Sequence, residues 1–415
     1  MISTSLGEAC FASSITRTIA DGITIPFDLL DPAGSQRFEV AGPRARLFFD
    51  PKKVRAGIVT CGGLCPGLNN VFRSLFMALH YTYGVKEVLG FRDGYQGLDS
   101  TRAREPLVLT PDFVNDIHKL GGTVLGTSRG PVDIQLAVDN LIRRGVNMLF
   151  TLGGDGTLCG ANSLFQEAKK RGHPLAVIGV PKTIDNDVAF VARTFGYLTA
   201  VEESCKVLDR AHIEAKSVQN GISLVKLMGR NAGFIAAGAT VASQDVNGTL
   251  VPEVPFRLDS PTGLLAFLRA RLAQRAHAVI VVAEGAGQDL VAGANSAKDA
   301  SGNVKLQDIG IFLRDRIQAY FKAEGIPMVM RYFDPSYIVR SSPANAEDAI
   351  LCHLYARNAV HAAMAGKTGL GISLSNDQFV HVPIDMLANQ KKRLDPNGAV
   401  WHAVLATTGQ PAVFA

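Results

Sequence analysis

Short apolar runs that end in glycine-rich turns and lead into helical patterns recur along this chain of 415 residues. The first apolar run covers residues 56–60 and is followed by Gly62 and Gly63, and another covers residues 148–152 and ends at Gly153. Continuous apolar runs predict strands that are buried on both faces, and their alternation with helices predicts a parallel sheet covered by helices. In such a sheet the ligand binds beyond the carboxyl ends of the strands. We therefore expect the glycine turns to line a binding site.

A second series of strands and helices follows from about residue 197. Its apolar runs at 222–226 and 278–283 lead into Met228-Gly229-Arg230 and Glu284. We therefore predict an α/β fold with two Rossmann-like lobes, each with a mainly parallel sheet flanked by helices, and an active site in the cleft between them. The predicted divisions are an N-terminal extension over residues 1–53, a first lobe over 54–196 plus 339–390, and a second lobe with a C-terminal tail over 197–338 plus 391–415.

Composition and charge exclude several classes of protein. A hydrophobic fraction of 47% with 19% charged residues is typical of a compact enzyme and not of a disordered or fibrous chain. The net charge of +5 is spread along the chain without a block of lysine or arginine, which argues against binding of nucleic acids or membranes. The six cysteines lack zinc-ligand spacing, and the first residues lack the layout of a signal peptide. We therefore expect a soluble cytoplasmic protein with reduced thiols.

The run Gly153-Gly154-Asp155-Gly156-Thr157 indicates a site for phosphate and a metal ion. Glycines let backbone N–H groups approach phosphate oxygens, and Thr157 is placed to cap the following helix. Asp155 is a hard carboxylate of the kind that holds Mg²⁺ where it bridges phosphates. The plainer interpretation is a turn aspartate with a local side-chain bond. Several kinase families carry the same five residues, so the run predicts phosphate chemistry without naming the acceptor.

Thr183, Asp185 and Asp187 form a rarer group, a short way after the glycine run. In an extended segment alternate residues point to one side, so we expect all three side chains to face the same cleft. One carboxylate can accept the proton of an attacking hydroxyl, the second can add negative charge or reach the metal, and the threonine can orient the transferring group. The alternative is an Asx turn at Asp-Asn-Asp. Together the two motifs predict phosphoryl transfer to an alcohol.

Cationic side chains next to glycines and strand ends indicate a small anionic ligand. The candidates are Arg129, Arg230, Arg331 and Arg340, with Tyr337 near the last of them. An arginine offers fork-like donors that match a phosphate, and Arg129 can neutralise the group in transfer. Glu284 closes an apolar strand, where it can bind sugar hydroxyls, although a helix cap or a surface carboxylate is the simpler reading. The histidines show no pair with ligand spacing.

In this order the motifs resemble the phosphofructokinase family, over nearly all of residues 41–385. The resemblance rests on the Gly62-Gly63 turn, Gly94-Tyr95-Gln96-Gly97, Leu125-Gly126-Thr127-Ser128-Arg129-Gly130, residues 153–157 and 181–187, Met228-Gly229-Arg230, Glu284 and residues 337–340. The phrase Ala41-Gly42-Pro43-Arg44 and Lys182 are most similar to the longer branch, which includes plant and trypanosomatid ATP-dependent enzymes and pyrophosphate-dependent relatives.

The resemblance implies transfer of the γ-phosphoryl group of MgATP to the 1-hydroxyl of fructose 6-phosphate, a step of glycolysis. It makes Asp185 the general base, with Thr183 and Arg129 stabilising the phosphoryl group and Asp187 and Arg230 in support. The implied nucleotide and metal residues are Gly62, Arg129, Gly130, Gly154, Asp155 (which binds Mg²⁺), Gly156, Thr157 and Lys226. All of them except Lys226 lie in the first predicted lobe. The implied sugar-phosphate residues are Thr183, Ile184, Asp185, Met228, Gly229, Arg230, Glu284, Arg331, Tyr337 and Arg340.

Two residues point to different phosphoryl donors. Lys182 replaces a glycine of the short bacterial enzymes and is typical of pyrophosphate users. Gly156 stands where pyrophosphate users carry an aspartate, which would crowd and repel the α-phosphate of a nucleotide. We side with Gly156 and predict ATP. The alternatives are a pyrophosphate-dependent enzyme of the same fold, a regulatory subunit with little catalysis, and an NAD or lipid kinase that shares only the glycine run.

The resemblance also concerns assembly. It implies an allosteric homotetramer (or a homodimer), since the family shares one or two sugar-phosphate arginines between subunits. This chain departs from the short enzymes at Tyr337, where they have histidine, and at Gly221, where they supply an intersubunit arginine. We therefore expect sugar-phosphate binding to depend on Arg331 and Arg340.

Overall fold

The computed structural model describes residues 3–28, 33–291 and 304–415. The chain divides into two compact units. Unit 1 contains Met1–Ile184, Val188–Gly196 and Ser341–Lys391, and unit 2 contains Asp185–Asp187, Tyr197–Arg340 and Lys392–Ala415. Residues 1–53 are thus part of unit 1, and the chain passes from one unit to the other within residues 181–187. We predict that the first lobe binds the nucleotide and that the second lobe binds fructose 6-phosphate.

The apolar runs of the sequence form strands, and the N-terminal segment adds several short ones. In chain order the strands of the described residues are β1 (Thr4–Ser5), β2 (Phe11–Ala12), β3 (Thr24–Pro26), β4 (Arg37–Val40), β5 (Arg46–Leu47), β6 (Arg55–Thr60), β7 (Glu87–Phe91), β8 (Leu107–Val108), β9 (Met148–Gly153), β10 (Ala176–Pro181), β11 (Gly221–Leu227), β12 (Gly248–Leu250), β13 (His277–Ala283), β14 (Val329–Phe333), β15 (Lys367–Thr368), β16 (Leu370–Ser375) and β17 (Gln378–Pro383). Every residue of β9 and β10 is buried, so both faces of the sheet are covered there.

Helices follow the strands, as the alternation predicts. In chain order the α-helices of the described residues are α1 (Leu68–Met77), α2 (Pro111–Val114), α3 (Ile134–Arg143), α4 (Asp155–Lys170), α5 (Tyr197–Lys216), α6 (Phe234–Ser243), α7 (Leu264–Arg275), α8 (Ile309–Ala323), α9 (Ser336–Ser341), α10 (Ala346–Met364), α11 (Ile384–Asn389) and α12 (Ala399–Thr408). Within that part of the chain, no helix combines the length and the hydropathy that crossing a membrane requires.

Over the described residues of unit 1, nine strands form one sheet in the order β3-β4-β17-β16-β10-β9-β6-β7-β8. The central strands from β16 to β7 are parallel, and the outer pairs are antiparallel. Pro181 of β10 pairs with Gly153 of β9, and Leu152 of β9 pairs with Thr60 of β6. The carboxyl ends of these three strands therefore lie at the same edge of the sheet. The segments that follow them carry the Gly62, Asp155 and Lys182 motifs.

In the described part of unit 2, four strands form a parallel sheet in the order β12-β13-β11-β14. Leucines and isoleucines of helices α7 and α8 pack with the apolar residues of β11 and β13 in one buried core. The register pairs Leu227 with Ala283 and Val225 with Phe333. The residues that follow β11, β13 and β14 therefore meet at one edge. The predicted α/β class is confirmed, with a mixed sheet in unit 1, parallel at its centre, and a parallel sheet in unit 2.

Candidate active site

The turn that carries Arg129 and Gly130 is bonded to the glycine turn after β6. The hydroxyl of Thr127 donates to the carbonyl oxygen of Gly62 at 2.7 Å. A Cβ atom on Gly63 would lie 3.3 Å from the guanidinium of Arg129, so the arginine borders the bare backbone of this turn. The resemblance assigns several residues that precede α4 to the nucleotide. The structure brings these residues of unit 1 together.

Lys182 joins the glycine turns of β6 and β9. Its backbone N–H donates to the carbonyl oxygen of Gly153 at 2.9 Å, and its ammonium donates to that of Gly63 at 2.7 Å. The residue is only 6% exposed, and a buried ammonium needs such partners. The lysine that is typical of pyrophosphate users therefore has a structural role here, because it holds two strand-end turns in place.

Helix α4 begins at Asp155, and Gly154 is its N-cap without a side-chain cap bond. The prediction that Thr157 caps this helix is therefore wrong, since Thr157 lies in the first turn. Its side chain closes on Gly153, where a Cβ atom would fall 2.1 Å from the Thr157 hydroxyl oxygen. A Cβ atom on Gly156 would have no described atom within 4 Å. The free N–H groups of the α4 N-terminus and its positive dipole end favour an anion at this point.

Lys391 is a site residue that sequence reasoning missed. Its ammonium forms an ion pair with the Asp155 carboxylate, although 236 residues separate the two in the chain. Burial lowers the pKa of Lys391. Among the described residues no three acidic, histidine or cysteine side chains gather into a metal-binding group. The available signal was the run Lys391-Lys392-Arg393, which lies at the start of the predicted C-terminal tail.

The segment after β10 turns, which corrects the expectation that Thr183, Asp185 and Asp187 alternate along an extended backbone. Ile184 and Asp185 form a turn, and Asn186 has a φ of 56° in the left-handed region. Asparagine tolerates this conformation better than most residues, so the Asx-turn alternative describes the backbone better. Asp187 is buried at 5% exposure, whereas Thr183 and Asp185 are half-buried. The two carboxylates therefore have different environments.

In unit 2, Asp185 lies against the turn that follows β11. The backbone N–H of Arg230 donates to the Asp185 carboxylate at 3.5 Å, and the guanidinium of Arg230 donates to the carbonyl oxygen of Val304. Gly229 has a φ of 127°, and the N–H of Gly285 donates to its carbonyl oxygen at 3.1 Å. A Cβ atom on Gly285 would fall 1.9 Å from the carbonyl oxygen of Arg230. Two glycines thus allow the close approach that places the Arg230 backbone beside Asp185.

Glu284 follows β13 at the same edge and is surrounded by charges of both signs. Burial raises its pKa, the positive charges of Arg230, Lys226 and Arg340 act in the opposite direction, and the negative charge of Asp334 adds to the rise. A half-buried carboxylate at a strand end, close to several cations, is suited to accept hydrogen bonds from the hydroxyl groups of a polar ligand.

Helix α9 carries Tyr337 and Arg340 at the carboxyl end of β14. The guanidinium carbon of Arg340 lies 4.4 Å from the centre of the Tyr337 ring, which is a cation–π contact. Arg331 is placed differently, because it lies inside β14, where it pairs with Ser223 of β11. Its guanidinium forms a 3.4 Å ion pair with Glu214 of α5. The structure therefore groups Tyr337 and Arg340 but gives Arg331 a separate partner.

Lys226 has carboxylate partners in unit 2. Its ammonium lies 2.7 Å from Asp308 and 2.9 Å from Asp334. Burial acts to lower its pKa, but these two carboxylates outweigh burial and raise it. The predicted role of Lys226 beside the nucleotide stays a prediction.

The sequence is similar to those of known proteins over most of the chain. The sequence profile of the family described as Phosphofructokinase matches residues 55–363. An ATP-dependent 6-phosphofructokinase of Borreliella burgdorferi is 48% identical over 380 residues, which cover 90% of this chain and 85% of that protein. ATP-dependent 6-phosphofructokinase 1 of Arabidopsis thaliana is 46% identical over 385 residues, which cover 92% and 80%. The resemblance to the branch that includes plant enzymes is thus confirmed.

The fold is also similar to solved structures. A pyrophosphate-dependent phosphofructokinase of Marinobacter aquaeolei superimposes with a TM-score of 0.71 at 20% identity, over 86% of this chain and 91% of that one. This similarity concerns the fold alone, whereas the sequence matches extend through the strand-end motifs described above. The chain belongs to the phosphofructokinase family.

Proposed function

We propose that this chain is an ATP-dependent 6-phosphofructokinase, which transfers the γ-phosphoryl group of MgATP to the 1-hydroxyl of fructose 6-phosphate. The observation that carries the proposal is the position of Asp185, a half-buried carboxylate held against the Met228-Gly229-Arg230 turn. Relatives of 46–48% identity over most of the chain, named as ATP-dependent 6-phosphofructokinases, support it. With the family motifs present at Asp155, Asp185 and Arg230, a regulatory subunit without catalysis is the weaker alternative.

The nucleotide phosphates are proposed to lie at the carboxyl edge of the unit 1 sheet. The N–H groups at the start of α4 and the bare glycine backbones of Gly62 and Gly154 suit phosphate oxygens, and Arg129 and Gly130 border the same turn. Asp155 and phosphate oxygens of the nucleotide would hold Mg²⁺, an arrangement that this ion commonly takes. When bound, the ion would withdraw negative charge from the phosphates.

The acceptor is proposed to be activated by Asp185. Its carboxylate takes the proton of the 1-hydroxyl while that oxygen forms a bond to the γ-phosphorus, and the bond to the bridging oxygen of ADP breaks. Thr183 and Arg129 stabilise the negative charge on the phosphoryl group during the transfer. Arg230 and the buried Asp187 support this arrangement. The products are fructose 1,6-bisphosphate and ADP.

Fructose 6-phosphate is proposed to bind at the carboxyl edge of the unit 2 sheet. Glu284 accepts hydrogen bonds from sugar hydroxyls, and Tyr337 with Arg340 binds the 6-phosphate. Met228, Gly229 and Ile184 line the sugar. Arg331 lies within β14 and pairs with Glu214, so its part in binding is proposed through a second copy of the chain in a homotetramer or homodimer. Light scattering at assay concentration would measure that assembly.

The choice between ATP and pyrophosphate is tested with fructose 6-phosphate and either donor in a coupled assay. We expect faster turnover with MgATP. Gly156→Asp is expected to raise the KM for ATP about tenfold or more, because a carboxylate next to Asp155 repels the nucleotide phosphates. Gly156→Ala is the matched control, since a Cβ atom there meets no described atom within 4 Å and adds no charge. Faster turnover of the wild type with pyrophosphate would overturn the choice of donor.

A second test concerns the ion pair between Lys391 and Asp155. A divalent cation on Asp155 repels the neighbouring ammonium, and in a solvated site this repulsion is about 1 kcal/mol. Lys391→Met removes the repulsion and is therefore expected to tighten Mn²⁺ binding by about fivefold. Calorimetric titration of Mn²⁺ measures this directly. Lys206→Met is the control, because Lys206 pairs with Glu202 and Glu203 on helix α5 of unit 2. Equal Mn²⁺ affinities of the wild type and Lys391→Met would contradict the expected repulsion between the ion and Lys391.

A further inference from the structure

We propose that Lys226 is a positioning residue for fructose 6-phosphate: it holds helix α9, which carries Tyr337 and Arg340, against the end of strand β11 in the same unit. The inference rests on the proposed function, because it assumes that Tyr337 and Arg340 bind the sugar phosphate. It assigns to Lys226 an effect on the affinity for the acceptor and none on the affinity for the nucleotide.

Lys226 occupies the penultimate position of β11, two residues before Met228. Its side chain is 12% exposed, and its ammonium lies between two carboxylates, 2.7 Å from Oδ2 of Asp308 and 2.9 Å from Oδ2 of Asp334. The Tyr332 hydroxyl donates to Oδ1 of Asp308 at 3.2 Å. Because this cation lies between two close carboxylates, its removal leaves two negative groups that repel each other. We call Lys226, Asp308 and Asp334 the junction.

The other oxygen of Asp308 caps helix α8. Oδ1 accepts the N–H groups of Gly310 at 3.0 Å and Ile311 at 3.1 Å, while Oδ2 accepts from Lys226. Each oxygen of this carboxylate thus binds a different part of the unit. Since the first N–H groups of a helix have no partner within the helix, this bond fixes where α8 begins. Lys226 thereby links the N-terminus of α8 to strand β11.

Asp334 has the same arrangement at the start of α9. Oδ1 accepts from the backbone N–H of Ser336 at 3.2 Å and from its hydroxyl at 2.6 Å, and Oδ2 is the oxygen that faces Lys226. Helix α9 has only six residues, so its position depends on its ends more than on its own hydrogen bonds. The contact with Lys226 therefore restrains the start of the helix that presents Tyr337 and Arg340.

The charges at this edge are shared with the ligand residues. Lys226, Asp334 and Arg340 all act electrostatically on Glu284, so the junction and the proposed sugar-phosphate site form one electrostatic group. Without Lys226, Asp334 loses a close cation, and the start of α9 loses one of its contacts with β11. Both changes weaken the binding of a phosphate at Arg340, whereas neither involves the unit 1 residues assigned to ATP.

The test is Lys226→Met, assayed by steady-state kinetics and by calorimetric binding of fructose 6-phosphate. We expect the KM and Kd for fructose 6-phosphate to rise about tenfold or more, because small displacements of positioning elements have large effects on binding and turnover. The KM for ATP and the kcat at saturating fructose 6-phosphate are expected to stay within about threefold. Lys226→Arg retains the charge and is expected to restore most of the affinity.

The matched control is Lys206→Met in the same unit. Lys206 also pairs with two carboxylates, Glu202 at 3.3 Å and Glu203 at 2.7 Å, but it is half exposed on helix α5. It is expected to leave all kinetic constants unchanged. Asp334→Asn is the second variant, which serves if Lys226→Met does not fold. It preserves an oxygen for Ser336 while weakening the bond to Lys226, and we expect a rise of about threefold in the Kd for fructose 6-phosphate.

The outcomes separate the inference from the proposed function. A wild type that does not bind fructose 6-phosphate would contradict the proposed function itself. A wild type that binds it, together with unchanged affinity in both Lys226→Met and Asp334→Asn, would overturn the inference. A raised KM for ATP in Lys226→Met with unchanged affinity for fructose 6-phosphate would overturn it in favour of a nucleotide role.

Discussion

Asp185→Asn is expected to lower kcat by about 100-fold or more while the Kd for fructose 6-phosphate changes little. The amide has nearly the shape of the carboxylate and still accepts the N–H of Arg230, but it cannot take the proton of the 1-hydroxyl. The acceptor oxygen must then attack without a base. Coupled kinetics at saturating MgATP, together with calorimetric binding of fructose 6-phosphate, measure the two quantities.

The control for Asp185→Asn is Asp209→Asn, the same change at an exposed position on α5 of unit 2. It is expected to leave both kcat and Kd unchanged. Near-normal turnover of Asp185→Asn would remove Asp185 as the base. A large rise in Kd with unchanged kcat would instead make Asp185 a binding residue, and Asp187 would become the remaining carboxylate of the run to test.

Glu39→Gln is expected to lower the free energy of unfolding by about 3–5 kcal/mol, the range found when one partner of a buried ion pair is removed. The Glu39 carboxylate has no exposed surface, and it lies 3.3 Å from the buried Arg44 and 3.1 Å from Lys367. It also accepts the N–H of Ser3 at 3.1 Å and lies 3.5 Å from His381. The variant removes the buried counter-charge of both cations and leaves them next to the exposed carboxylate of Asp21, 3.0 Å from Arg44 and 3.4 Å from Lys367. Urea denaturation measures the change.

The matched control is Glu87→Gln on strand β7 of the same unit. Glu87 pairs with Arg55, but its side chain is 51% exposed, so the change is expected to cost less than about 1 kcal/mol. A loss of similar size in both variants would contradict the importance of burial. Equal stability of Glu39→Gln and the wild type would show that the cluster is energetically neutral.

The same cluster predicts a dependence of stability on pH. Burial acts to raise the pKa of Glu39, but hydrogen bonds from His381 and Ser3 outweigh burial and lower it below its ordinary value of 4.5. A group with a lowered pKa in the folded state stabilises the protein above its unfolded pKa. This contribution is therefore fully present above about pH 4.5 and is lost as the pH falls below it. Glu39→Gln is expected to remove that part of the acid sensitivity.

Most of the strands and helices could be predicted because their signals are local. The apolar runs before Gly62, Gly153 and Lys182 form β6, β9 and β10, and a helix follows the first two as the alternation requires. The N-terminal segment gave no such signal. Its strands β3 and β4 join the unit 1 sheet through β17, with Val40 opposite Val380. Pairing of strands so far apart in sequence is decided by packing and not by local propensity.

For the candidate site, only the positions of the motifs could be predicted from the sequence. Asp155 and Asp185 stand at strand ends that the sequence identified, yet the backbone of Asn186 is left-handed where alternation required an extended segment. Short polar runs favour both conformations, and the packing around the buried Asp187 decides between them. Thr157 likewise lies inside α4 because the preceding Gly154 already occupies the cap position.

By itself the sequence determined the alternation of strands and helices, the turns that carry the chemistry and the family to which the chain belongs. Only the tertiary structure decided which charges meet. Lys391 reaches Asp155 across 236 residues, Lys226 reaches Asp308 across 82, and Lys367 reaches Glu39 across 328. The reason is physical: a glycine or an apolar run acts on its own neighbourhood, whereas the partner of a charged side chain depends on which segments the packed sheets bring within a few ångströms.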